Sequence, residues 1–174
     1  MKTSQQWWDE VKQSPSLLNE WLVKQYRGEV TAANRIRDLA DKFKIKGRTR
    51  DLLEVIATQE ETHASWVLAL LKTRGIQPSV ENAENRYWAE VLPGIDDFAT
   101  GTAVAAHAEK MRLDRIQVIS NDTEAPEDIR NAFERILKDE LFHEKAFRSM
   151  STSLALEATK DNHERGMQVL GLVA

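Results

Sequence analysis

The sequence predicts an all-α protein: an antiparallel four-helix bundle with an internal pseudo-twofold repeat and short N-terminal and C-terminal helices. Glycine and proline are scarce, at 7 and 4 of 174 residues, so the chain supports few turns and long elements. Apolar residues recur at helical spacing through four long segments, as they do on the buried face of a helix. A shift of the sequence by 80 residues superposes the first pair of these segments on the second.

The predicted elements follow one another along the chain with glycine or proline between most of them. A short helix over Trp7 and Trp8 comes first. Four main helices follow at about 16–44, 49–74, 96–121 and 126–150. At about 1.5 Å per residue, each is roughly 35–45 Å long, which is the dimension of an antiparallel bundle. A C-terminal helix from about 152 to 169 completes the chain.

Each of the four main helices carries one carboxylate in the middle of its apolar stripe. Two stripes hold a lone glutamate, and the other two hold a glutamate followed three residues later by a histidine. Residues at that spacing are neighbours on one helix face. The six polar residues on these faces are Glu29, Glu60, His63, Glu109, Glu140 and His143.

Four buried carboxylates at one depth need cations, because unpaired buried charges are costly and like charges repel one another. A single such glutamate would suggest only a rolled helix or a paired structural charge. The stripes contain no lysine or arginine, except for Arg112 beside Glu109. The cations are therefore expected from outside the chain. Two divalent ions would cancel the charge of four carboxylates, and oxygen with imidazole ligands suits iron or manganese.

The candidate ligands recur at an offset of 80 residues without a gap. At this offset Glu29 falls on Glu109, Glu60 falls on Glu140 and His63 falls on His143. The chain is therefore interpreted as a single domain, 1–174, with pseudo-repeats at about 7–74 and 87–154. Two halves related in this way would each bring one lone glutamate and one Glu-x-x-His pair to a shared dinuclear centre.

This ligand pattern resembles that of the ferritin-like superfamily of di-iron carboxylate proteins, especially rubrerythrins and bacterioferritins. The resemblance covers residues 16–150. The resemblance implies a ferritin-like bundle that holds two iron ions. It implies that Glu60 and Glu140 are bridging carboxylates and that Glu29 and Glu109 are terminal ligands. His63 and His143 would each cap one metal.

The resemblance also implies neighbours that hydrogen-bond to the ligands. In bacterioferritin-like sites the residue before one Glu-x-x-His pair often accepts the N–H of the opposing histidine. This pairs Asp139 with His63 and Gln59 with His143, although both positions would also suit solvent-facing helix residues. Tyr26, one turn before Glu29, is the phenol expected to face the cavity, where a hydrogen bond within the core is its simplest role.

Two features depart from the rubrerythrins that reduce peroxide. Those proteins usually add a glutamate one turn before the lone ligand of the third helix, where this chain has Ala106. They also carry a cysteine-rich module, whereas this chain contains no cysteine. Any electrons for the site are therefore expected from an external donor.

The expected function is that of a di-iron oxidoreductase of oxygenase, peroxidase or ferroxidase type, acting with O2 or peroxide. Manganese or a mixed Fe/Mn pair would suit the same ligands. Two alternatives stay open: an iron storage or detoxification protein with ferroxidase activity, and a metal-free structural bundle. The resemblance is compatible with a homodimer.

The composition excludes several other classes of protein. The chain has 24 basic and 28 acidic residues, a net charge of −4 without a block of one sign, which argues against a nucleic-acid or anionic-membrane binder. The N-terminus is polar and acidic, and the sequence has no run of 18 apolar residues. A cytoplasmic protein is therefore expected.

Overall fold

The chain folds into an all-α bundle. A computed structural model describes residues 1–80 and 86–172, so positions 81–85 and 173–174 of the predicted domain lie outside it. No helix of the described residues is long and apolar enough to cross a membrane. The α-helices of these ranges are α1 (Ser4–Lys12), α2 (Pro15–Lys42), α3 (Gly47–Thr73), α4 (Arg86–Val91), α5 (Phe98–Asn121), α6 (Glu127–Met150), α7 (Ser153–Ala158) and α8 (Lys160–Val169).

Two apolar clusters fill the bundle, one on each side of a polar layer. The tryptophan-end cluster contains, among others, Trp8, Trp21, Leu22, Val67, Leu71, Ile116, Ile129 and Phe133. The alanine-rich cluster contains, among others, Ala33, Ile36, Ala40, Leu53, Ile56, Ala57, Ala106 and Phe147. The candidate ligands lie between the two clusters along every main helix, so apolar side chains separate them from both ends of the bundle.

The order of core residues along each helix gives the direction of that helix. α2 runs from the tryptophan-end cluster to the alanine-rich cluster, and α3 returns. In the second half the order is reversed, because α5 starts in the alanine-rich cluster and α6 ends there. α2 packs along α3, and α5 packs along α6. Both pairs are therefore antiparallel, and their matching positions meet in the polar layer.

Capping groups set the starts and ends of the main helices. Ser14 caps α2 by accepting a hydrogen bond from the Leu17 N–H, with Pro15 in the first helical position. Asp97 caps α5 and accepts from the Thr100 N–H at 2.7 Å. The chain leaves α3 through Gly75, whose φ of +71° lies in the left-handed region that favours glycine.

The short helix α1 is held by hydrogen bonds to Asp122 at the C-terminal end of α5. The Trp8 indole is fully buried and donates a hydrogen bond to Asp122 Oδ2 at 2.7 Å. Lys12 Nζ donates to the same oxygen at 2.8 Å. The predicted helix over Trp7 and Trp8 therefore closes the tryptophan end of the bundle, where tryptophan can combine a large apolar area with one polar contact.

The C-terminal segment differs from the single predicted helix, because it forms α7 and α8. Thr152 caps α7 through its hydroxyl, which accepts from the Ala155 N–H at 3.1 Å. The break between the two helices falls at Thr159, whose hydroxyl donates to the Ala155 carbonyl at 2.9 Å. A threonine hydroxyl that bonds back to the preceding turn competes with the backbone ladder and bends a helix.

Replacement of Phe133 by alanine tests how much the tryptophan-end cluster contributes to stability. The Phe133 side chain is fully buried, and the centroid of its ring lies 5.1 Å from the centroid of the Trp21 ring. We expect Phe133→Ala to lower the free energy of unfolding by about 3–5 kcal/mol, measured by urea denaturation at constant metal concentration. Leu154→Ala, at a side chain that is 81% exposed, should change it by less than about 0.5 kcal/mol. Equal effects of the two changes would contradict this assignment of the core.

Candidate metal centre

The polar layer brings together the six residues predicted as metal ligands. α2 supplies Glu29 and α5 supplies Glu109, while α3 and α6 each supply a glutamate with a histidine one turn later. All six are buried, and the most exposed of them, Glu109, is only 4% exposed. Apolar residues flank each of them along its helix, so the same helical periodicity that builds the core also points these groups inward.

The six side chains form two overlapping groups of ligand atoms. One group is Glu29, Glu60, His63 and Glu140, and the other is Glu60, Glu109, Glu140 and His143. Within each group the ligand atoms all lie within 4.8 Å of one another. Glu60 and Glu140 belong to both groups, so each has the position required of a carboxylate shared between two metal ions. Each histidine belongs to one group only.

A chain of hydrogen bonds links the outer edges of the two imidazoles. His63 Nε2 donates to Asp139 Oδ2 at 3.1 Å, and His143 Nε2 donates to Gln59 Oε1 at 3.1 Å. Gln59 Nε2 in turn donates to Asp139 Oδ1 at 3.0 Å. Because a carboxylate only accepts hydrogen bonds, Asp139 orients the Gln59 amide, and the amide then orients the His143 ring. Both Nδ1 atoms therefore face the carboxylates.

The remaining donor atoms fit a metal pair. Four buried polar atoms of the ligand set lack a hydrogen bond of normal geometry: Nδ1 of His63, Oε2 of Glu109, Oε2 of Glu140 and Nδ1 of His143. His143 Nδ1 lies only 3.1 Å from Glu60 Oε1, but the angles between these groups are not those of a hydrogen bond. Buried polar atoms almost always have partners, so unpartnered atoms in one cluster point to an ion.

Arg112, the basic residue noted beside Glu109 in the sequence, also enters the cluster. Its Nη1 atom lies 3.0 Å from Glu140 Oε1 and 3.1 Å from Glu60 Oε2. α5 itself therefore supplies one compensating cation in the metal-free protein, in addition to the metal ions expected from outside the chain. Arg112 follows Glu109 by three residues, and this spacing places the two side chains on the same helix face.

The ionisation of the glutamates divides them into two kinds. Burial raises the pKa of Glu29 and of Glu109 well above the usual range, although Arg112 opposes the shift. For Glu60 and Glu140 burial acts in the same direction, but Arg112 and His143 outweigh it and lower both pKa values. The metal-free cluster therefore favours the ionised form of the two shared glutamates and shifts the two lone glutamates toward the protonated form.

His143 supplies a second positive charge to the metal-free cluster. Burial lowers its pKa, but the close approach of the Glu140 and Glu60 carboxylates raises it to about 9. The Arg112 guanidinium and the His143 imidazolium then offset the charges of Glu60 and Glu140. Positive groups of the chain itself therefore compensate buried negative charge before any metal binds.

Two neighbouring residues of α2, Tyr26 and Gln25, differ in whether they contact the carboxylates. Tyr26 is half-buried and packs against the tryptophan-end cluster; among residues 1–80 and 86–172 it has no hydrogen bond to the carboxylates. Gln25, its neighbour on α2, donates to Glu29 instead. Sequence reasoning did not select Gln25, although its position four residues before Glu29 places it one turn away on the same helix face.

Comparison with protein families gives the relationship of the chain directly. The family model for rubrerythrin matches residues 20–151, which contain all six candidate ligands. The chain belongs to the rubrerythrin family. This is a di-iron family of the ferritin-like superfamily, in agreement with the resemblance stated above. Comparisons with curated proteins and with solved structures gave no significant match.

This member of the rubrerythrin family has an apolar residue beside its lone glutamate on α5. Ala106, one turn before Glu109, is fully buried in the alanine-rich cluster. A methyl group there offers no metal ligand and no proton. The six residues of the two ligand groups are therefore the ligands that the described part of the bundle provides at this layer.

Metal binding should release protons from the cluster. At pH 7 His143 is protonated in the metal-free protein, and the raised pKa values of the two lone glutamates favour their protonated form. Any of these groups that holds a proton must lose it to ligate a cation. We expect roughly one to three protons per chain, measured by titration calorimetry with Mn2+ in two buffers of different ionisation enthalpy. Metal affinity should accordingly rise with pH up to about 9.

The matched control is Glu61→Gln, because Glu61 neighbours Glu60 but lies at the surface with Arg37. This variant should release the same number of protons as the parent protein. Binding of Mn2+ without net proton release, in either protein, would contradict the proposed ionisation of the cluster.

Proposed function

We propose that this protein is a di-iron oxidoreductase that acts with O2 or peroxide. The observation that supports the proposal is the pair of overlapping ligand groups that share Glu60 and Glu140, buried between two apolar clusters. A bound iron pair would supply the redox equivalents that reduce O2 or peroxide. Manganese, or a mixed pair, suits the same oxygen and imidazole ligands.

The residues of the chain would then have separate tasks. One metal ion would be held by Glu29, Glu60, His63 and Glu140. The other would be held by Glu60, Glu109, Glu140 and His143. Asp139 and Gln59 hold the imidazoles with Nδ1 inward, which keeps both rings in the orientation that ligation requires. The apolar clusters on both sides limit access of water along the bundle axis. Electrons would come from an external donor, because this chain contains no cysteine-based relay.

The second candidate function is iron storage or detoxification through ferroxidase activity. The same observation supports it, because four carboxylates in one layer would bind iron as a substrate as well as a resident cofactor. The size of the assembly separates the two functions. Storage needs a large hollow shell, whereas a monomer or a homodimer in size-exclusion chromatography supports the oxidoreductase.

The test of the proposed function is iron binding and its response to oxygen. We expect protein loaded anaerobically with Fe(II) to retain about two iron ions per chain after desalting, and its near-ultraviolet absorption to rise on exposure to O2. Glu60→Ala should abolish both, because Glu60 belongs to both ligand groups. Glu61→Ala, at the surface, should change neither.

Fewer than one iron ion per chain in the parent protein would exclude the proposal, as would unchanged spectra of Glu60→Ala. A melting temperature that is insensitive to chelator would favour the metal-free structural bundle instead, because a ligand that binds only the folded state must stabilise it.

A further inference from the structure

Arg112 breaks the internal symmetry at the centre of the candidate metal site. Every candidate ligand has an identical partner at the 80-residue offset, but the partner of Arg112 is Ala32. Ala32 is buried on α2, where a methyl group fills the space. One half of the bundle therefore inserts a positive charge among the ligands, and the other half does not.

A single nitrogen of Arg112 is close to all four carboxylates. Its distances to their nearest oxygens are 3.0 Å for Glu140, 3.1 Å for Glu60, 3.3 Å for Glu29 and 3.6 Å for Glu109. The guanidinium thus occupies the place where the two ligand groups overlap. A cation with these contacts has the same electrostatic role as a bound metal ion, and it uses the same oxygen atoms.

The charges permit either the guanidinium or a full metal pair, but not both. Two divalent ions already neutralise four carboxylates. A guanidinium kept in the same buried layer would then be a positive charge without an anion to offset it, next to two dications. Metal binding should therefore remove Arg112 from its contacts.

The position of the Arg112 side chain gives it a route away from the cluster. It is 17% exposed, whereas the side chains of Glu29, Glu60 and Glu140 are fully buried. The side chain therefore extends from the accessible surface of α5 into the ligand layer. It can withdraw along its own length without a change in the helix, because long basic side chains commonly keep an apolar stem buried and place the charged end in water.

We propose that Arg112 is a resident counter-ion of the metal-free centre, which holds the four carboxylates together and withdraws from them when divalent cations bind. The inference rests on the proposed metal-binding function and adds a specific competitor to it. The measured metal affinity is then the difference between the binding free energy of the metal ions and that of the Arg112 guanidinium at the same oxygens. The metal ions come from solution, whereas the guanidinium belongs to the chain.

The first experiment compares Arg112→Gln with Arg115→Gln. Arg115 is a half-buried arginine on the same helix, and its guanidinium carbon lies over the Trp7 ring, 5.0 Å from the ring centroid. Affinity for Co2+ is measured from its visible absorption in competition with a chelator. We expect Arg112→Gln to bind Co2+ at least about tenfold more tightly than the parent protein, because the competing state is removed. Arg115→Gln should stay within about threefold of the parent.

The second experiment uses the parent protein, so it does not depend on the folding of a variant. The rate at which phenylglyoxal modifies Arg112 is measured by peptide mass spectrometry with and without Co2+. We expect faster modification of Arg112 in the Co2+ complex, because its guanidinium moves toward solvent, and an unchanged rate at Arg115.

Equal or weaker Co2+ binding by folded Arg112→Gln would overturn the inference, and so would an unchanged or slower modification of Arg112 in the Co2+ complex. If Arg112→Gln folds only when Co2+ is present, the role of Arg112 in holding the metal-free carboxylates is supported. If the parent protein binds no Co2+, the proposed function itself fails, and the inference fails with it.

Discussion

Electrostatic compensation of four buried glutamates is the constraint on which the rest of this structure depends. Each main helix brings one carboxylate into a layer between two apolar clusters. A helix could carry such a group alone only at a large cost, because an unpaired charge is poorly solvated inside a protein. The four helices must therefore be arranged so that the carboxylates meet and share cations. The antiparallel pairs and the matching depth of the ligands meet this requirement.

The metal-free state satisfies the same constraint with groups of the chain itself. The raised pKa values of Glu29 and Glu109 favour their neutral forms, and Arg112 and His143 offset the charges of the other two glutamates. The residues Gln59 and Asp139 hold the imidazoles in place from the outside. The six side chains thus lie together without a bound metal. In the proposed function, metal ions would replace protons and the guanidinium at the same oxygen and nitrogen atoms.

The sequence allowed the bundle and the meeting of the six polar residues in one buried layer to be predicted, because both follow from periodicity. A glutamate in the middle of an apolar stripe must face the core, and the 80-residue repeat shows which glutamates belong together. The position of Arg112 could not be deduced in this way. A long side chain three residues from a ligand can point inward or outward, and only packing decides which. The break at Thr159 could not be predicted either, because it occurs without glycine or proline.

The most direct test of the central claim is anomalous diffraction at the iron edge from crystals loaded anaerobically with Fe(II). We expect two iron peaks inside the bundle. One should lie within the group of Glu29, Glu60, His63 and Glu140, and the other within the group of Glu60, Glu109, Glu140 and His143. Iron peaks confined to the protein surface, with none in the buried layer, would contradict it.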